Sequence, residues 1–199
     1  VVKKLVFGAF VSVLMAACAE APVGPWQLNK AHSLVSFVST KAVNVSEVHT
    51  FTQLRGAVSE AGVADVQIEL ASVDTLIPIR DERMRELLFE TGAFPTASLS
   101  AEVDLPGYLA LAPGESLQTR QEVVLKLHGE SVQMGVDLLV TRVSSDGFVV
   151  ASLKPVVVNA AAFGLDAGVE RLREVAGLSS IGGSVPVSFV LSFARSYQA

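Results

Sequence analysis

The sequence predicts an all-β fold with short helices, arranged as an antiparallel sandwich or closed barrel. Several stretches alternate apolar and polar residues with a period of two, the mark of strands with one dry and one wet face. Turn-forming pairs rich in glycine, proline and aspartate separate those stretches. Only two segments show helical spacing, and both are short.

The chain opens on a targeting pattern. Lys3 and Lys4 precede the apolar run Leu5 to Met15, and Leu14-Met15-Ala16-Ala17-Cys18 closes it. A membrane-spanning helix needs roughly twenty apolar residues. This run is shorter, and Glu20, Pro22, Gly24 and Pro25 interrupt any helical continuation. Cys18 stands where bacterial lipoprotein signals are cut and the new N-terminus is acylated, although Met15 replaces the usual leucine. The expectation is a signal peptide over residues 1–17, a lipid anchor on Cys18, a small, proline-rich tether over 18–25 and one domain over 26–199. That places the protein in a bacterial envelope, held to a membrane by its acyl anchor and facing the periplasm. Ala19 stands in place of the aspartate that retains many lipoproteins at the inner membrane, so the outer membrane is expected by analogy. A cleaved, soluble periplasmic form is the alternative.

Within the domain, Trp26 is expected to plug one end of the fold. The clearest alternation lies in Asp65 to Ala71, Ser98 to Leu105 and Val185 to Phe193. His32 to Thr40, Glu122 to His128, Gln133 to Thr141 and Phe148 to Val156 are shorter or less regular strands. Turns are expected at Glu60 to Gly62, Pro106-Gly107, Pro113-Gly114, Gly129-Glu130 and Asp146-Gly147. The first helix is expected over Asp81 to Phe89, with Asp81 as its cap and Met84, Leu87 and Leu88 on one face. The second runs from Gly168 to Val175, with Val169, Leu172 and Val175 on one stripe and Gly177 beyond its C-terminus.

Composition excludes several functions. The formal charge is −5, and −7 once Lys3 and Lys4 leave with a signal, so the chain lacks the basic footprint of a nucleic-acid-binding protein. Cys18 is the sole cysteine, which rules out an internal disulfide. His32, His49 and His128 form no metal-binding spacing, and no nucleophile elbow, phosphate loop or zinc signature is present. Adjacent His32 and Ser33 would point to opposite faces of a strand and could not act together as base and nucleophile. A catalytic site and a metal site are therefore not expected. The polar run Ser72 to Thr75, leading to Arg80-Asp81, reads either as a hydrogen-bonded corner or as polar groups at a barrel mouth.

What remains is apolar. The alternating faces send Val35, Phe37, Ile68, Leu70, Leu99 and Val103 inward, joined by Leu125, Met134, Leu138, Val187, Phe189 and Leu191. An eight-stranded barrel is at the size where such side chains fill the interior or leave room for one ligand.

Ordered pieces across the domain resemble the YceI-like, polyisoprenoid-binding family. They are Trp26-Gln27-Leu28-Asn29-Lys30-Ala31-His32-Ser33, then Ala71-Ser72-Val73-Asp74-Thr75, Arg80-Asp81 with Met84 and Phe89, and Phe94-Pro95. Leu125-Lys126-Leu127-His128-Gly129 and Ala162-Phe163-Gly164-Leu165 complete the set. Asn29 and Thr50 depart from the aspartate and glycine frequent in the family, and residues 168–180 look like a helical elaboration of the loop after Phe163-Gly164. The resemblance implies an extended antiparallel eight-stranded lipocalin-like β-barrel. It also implies an apolar lipid ligand, such as a polyisoprenoid, an isoprenoid quinone or a fatty lipid, with the twelve inward residues as its contacts. His32 and Arg80 are then the candidate polar groups at the mouth. A solid barrel that binds a protein partner is the alternative, and a homodimer is left open.

Overall fold

The computed structural model describes residues 26–195. The signal, Cys18 and the tether expected for residues 1–25 lie outside these described residues.

Twelve strand segments join in one antiparallel sheet, and kinks within several strands reduce them to eight staves. Strand β1 comprises Trp26–Leu28 and Leu34–Lys41, with a 3-10 turn at Lys30–His32 between them. Strand β2 comprises Val45–Phe51 and Leu54–Val58, and β3 comprises Val63–Glu69 and Val73–Asp74 around a 3-10 turn at Leu70–Ser72. Then follow β4 (Thr96–Glu102), β5 (Ser116–Leu127) and β6 (Glu130–Ser144). Strand β7 comprises Gly147–Ser152 and Val156–Asn159, and β8 is Ser184–Arg195. Each stave pairs with the next. Strand β8 returns to β1, with Trp26 opposite Arg195 and Phe189 opposite Val35, so the sheet closes on itself. Closure removes the two exposed edges that an open sheet would present.

Local chemistry sets the hairpins. His128 and Gly129 both have positive φ (51° and 84°), the geometry that joins β5 to β6 through two residues. Gly62 (φ 81°) is required in the turn before β3, since a Cβ there would stand 2.5 Å from the Val103 carbonyl oxygen.

Among the described residues, three α-helices cover the ends. Helix α1 (Pro78–Arg83) starts on a proline, which needs no amide partner in the first turn, and runs into a π-turn at Met84–Leu88. Helix α2 is Leu105–Leu109, and Asp104 caps it by accepting from the Gly107 amide at 3.0 Å. Helix α3 is Asp166–Val175, followed by Gly177 with φ 62°.

The structure corrects several expectations. His32 lies on the 3-10 turn rather than in a strand, and Leu70 and Ala71 belong to the turn that ends the first half of β3. The strand expected over Ser98 to Leu105 stops at Glu102, because Asp104 starts α2 and takes Pro106-Gly107 into a helix. Phe148 to Val156 is broken between Ser152 and Val156, where Pro155 cannot donate to a ladder. The first helix starts at Pro78, ahead of Asp81. Asp81 instead accepts from the Thr75 amide at 2.9 Å and its hydroxyl at 2.5 Å, fixing the corner ahead of the helix. Strand β2 was not expected: its inward row contains Glu47 and His49, which conceal the alternation.

Candidate functional site

The barrel is hollow. An apolar cavity of about 170 Å³ occupies one part of the interior and a second of about 90 Å³ the other. One water needs roughly 10–15 Å³ on this measure, so both are more than packing defects. They adjoin, since Val66, Leu99, Val136, Phe189 and Leu191 line both. Ile68, Leu99, Met134, Val187 and Phe189 point inward yet are only half-buried, because part of their surface faces this space.

The twelve residues assigned to the interior all reach these walls. Val35, Phe37, Ile68, Leu70, Leu125, Met134 and Val187 line the larger cavity. Val103 and Leu138 line the smaller, and Leu99, Phe189 and Leu191 line both. The same parity rule places Val66 and Ala97 beside Ile68 and Leu99, so those two are also legible in the alternation. Phe51 belongs to the hidden strand β2. Leu88, Phe89, Leu165 and Val169 reach the larger cavity from the helices and turns that cover it, a placement only the tertiary packing makes.

The smaller cavity ends at Trp26, which is 2 % exposed and meets Phe148 edge-on at 4.9 Å between ring centroids. Leu105 and Tyr108 of α2 are buried beside it, and burial raises the Tyr108 pKa.

A polar cluster caps the barrel next to the larger cavity, beyond Phe37 and Phe51. His49 is 3 % exposed and stands opposite Phe37, with its Nε2 2.8 Å from Ser39 Oγ. Glu47 pairs with Lys41 at 2.6 Å and with Arg80 at 2.8 Å, and Arg80 also donates to the Thr75 carbonyl at 2.7 Å. The Lys41 hydrogen bond, aided by the Arg80 charge, holds Glu47 below the usual carboxylate range. Burial lowers the His49 pKa, and the charge of Arg80 lowers it further. His49 Nδ1 and Arg80 Nε are buried with no hydrogen-bond partner in the structure.

Neither residue expected at a mouth lines either of these two cavities. His32 is exposed on its turn, and Arg80 is tied into the corner with Glu47 and Thr75. The hydrogen-bonded-corner alternative describes Arg80, because its guanidinium is committed to a carboxylate and a carbonyl. Ser33 serves the fold: its hydroxyl donates to the Asn29 carbonyl at 2.8 Å and accepts from the Ser192 amide at 3.0 Å.

The sequence pattern that describes the YceI-like domain matches residues 26–193. The chain belongs to the YceI-like family. This YceI-like barrel is similar to a solved polyisoprenoid binding domain from Saccharophagus degradans implicated in plant cell wall breakdown. The two are 37 % identical, with a TM-score of 0.86, over 87 % of this chain and all of that one. It also shares its fold with BcnA of Burkholderia cenocepacia, at 19 % identity and a TM-score of 0.63, over 83 % of this chain and 98 % of that one. Among curated proteins, none matches the sequence. The helix expected from Gly168 to Val175 is present as Asp166–Val175, and in this YceI-like protein it roofs the larger cavity through Val169.

Proposed function

We propose that this YceI-like protein is a non-enzymatic carrier that holds a long apolar lipid inside its barrel, an isoprenoid chain or isoprenoid quinone being the favoured class. The observation that carries this reading is the pair of adjoining cavities whose shared walls are wholly apolar. Similarity to a polyisoprenoid binding domain at 37 % identity supports the ligand class. Burying one five-carbon isoprene unit is worth on the order of 3–4 kcal/mol by transfer. Three units gross about 10 kcal/mol, against several kcal/mol for association and ordering. Apolar contact alone therefore supports micromolar binding, with loose discrimination among chains.

The reading includes attachment to the bacterial envelope through acylated Cys18, facing the periplasm, with the outer membrane favoured. The solid interaction module is not favoured. Val169 and Leu172 pack toward the core rather than forming a patch, leaving only Val175 of that stripe exposed.

Native and denaturing mass spectrometry of protein purified from cells without detergent tests the reading. A lipid released in near-equal amount is the expected result. Protein that is empty and also fails to take up added isoprenoid quinones or polyprenols would overturn it.

A further inference from the structure

A lipid needs a way into the barrel, and both ends are fastened. At one end Trp26, Leu105 and Tyr108 are buried together, and Arg142 holds α2 by donating to the carbonyls of Leu109 and Leu111. At the other, α3 meets the π-turn at Gly168, where a Cβ would stand 2.8 Å from the Leu87 carbonyl oxygen. Arg171 donates to that same carbonyl at 2.7 Å and pairs with Glu90 at 3.0 Å.

The side wall is different. Strand β7 follows β6 only as far as a hydrogen bond from the Leu153 amide to the Asp137 carbonyl, 2.9 Å. Beyond Pro155 its second segment, Val156–Asn159, pairs with β8 alone. Pro186 stands opposite Val157 and has no N–H to give, so this is a non-hydrogen-bonded pair. The Val157 amide and carbonyl consequently point away from β8, toward the first half of β6. A groove of about 350 Å³ occupies this interval in the wall. Met134, Val136 and Val156 line both the groove and the larger inner cavity. Side chains, not a backbone ladder, therefore separate the interior from the outer groove. Met134 is unbranched, with three rotatable bonds, and repacks at low cost. Lys154 and Asp137, 3.0 Å apart, mark the end of the slit where the ladder resumes.

We propose that the slit between β6 and the second segment of β7 is a lateral gate through which the apolar chain passes into the barrel, with Met134 and Val156 as its movable side chains. This rests on the cavity being the lipid site. The two readings are separated by strapping the slit with a reducible thiol cross-linker between Gln133→Cys and Val157→Cys, in the full chain carrying Cys18→Ser. Continued past Leu153 and Asp137, the ladder register brings positions 133 and 157 opposite one another. A second strap, between Glu90→Cys and Arg171→Cys, fastens α3 instead. The probe is a short-chain isoprenoid quinone, followed by quenching of Trp26, which lines the inner cavity and is the chain's single tryptophan.

The expected result is that the slit strap slows uptake at least about tenfold and reduction restores it, while the α3 strap leaves the rate within about twofold. Unchanged uptake with the slit strapped, or slowing by the α3 strap alone, would overturn the gate and leave the cavity reading standing. An unstrapped protein that never takes up quinone would sink the cavity reading and the gate with it.

Discussion

Leu99 lines both inner cavities, so its side chain sits where they join. Leu99→Trp is expected to fill that junction and cut co-purified lipid by about tenfold or more, while overpacking costs about 1–3 kcal/mol. Native mass spectrometry beside a chemical denaturation curve measures the two effects separately. His49 makes a different prediction. Burial keeps its ring neutral in the folded protein, whereas the unfolded chain protonates it at the ordinary value of 6.5. A lowered folded pKa means its contribution is full above about pH 6.5 and is lost as pH falls from there toward the folded value. Glu47, whose carboxyl is also held low, acts only below its ordinary value of 4.5, so the two windows are distinct. Thermal melting is expected to be flat at neutral pH and to decline below about pH 6.5. His49→Gln, which cannot protonate there, should flatten that limb, and an unchanged pH profile in the variant would exclude His49 as its source.

The elements depend on a few close approaches. Helix α3 lies against the π-turn because Gly168 has no Cβ, and any substituent would meet the backbone at Leu87 and Leu88, 2.8 and 2.9 Å away. Gly168→Ala is therefore expected to push α3 outward, at a cost of about 1–3 kcal/mol. Amide hydrogen exchange should show faster exchange in Asp166–Val175, with the barrel strands unaffected. Neighbouring Arg171 bridges to Leu87 and Glu90 but is exposed, so its removal is expected to matter much less. The kink at Leu153 to Pro155 has a comparable local origin. Pro155, between the two segments of β7, cannot donate to β6, and beyond it the wall has no β6–β7 ladder, while β7 stays paired with β8.

At the scale of the whole molecule, a hollow barrel gives up dispersion contacts that a packed interior would have. A ligand in the cavity restores them, so loaded protein should be more stable than stripped protein. At a free ligand concentration of a hundred times Kd the linkage is about 2.7 kcal/mol. For a domain of this size that corresponds to a melting-temperature rise of roughly 5–10 °C on adding quinone. Scanning calorimetry on stripped and reloaded samples measures it, and no rise with any isoprenoid would argue for an interior that stays empty. Closure itself depends on Trp26, where β1 meets both β8 and β2. Trp26→Ala is expected to cost about 3–5 kcal/mol, because it opens a void at a site that is 2 % exposed.

The amino-acid sequence determined the strand parity, the turns and the apolar identity of the interior. In β3, β4 and β8 one residue in two must face a dry core, and that constraint is local, written in Ile68, Leu99 and Val187. It failed where tertiary contacts override polarity. Strand β2 turns Glu47 and His49 inward, which is stable only because Lys41, Arg80 and Ser39, distant in sequence or on the facing strand, supply partners. Arg80 was legible as one member of a hydrogen-bonded corner, but Glu47, thirty-three residues away, was not legible as its carboxylate partner. Whether the interior is filled or hollow was also beyond local pattern, since it depends on how eight staves share one circumference. The roof of Leu88, Phe89, Leu165 and Val169 and the slit beside Val156 belong to the same class. Each arises where elements far apart in the chain meet or fail to meet, and only the closed barrel brings those surfaces together.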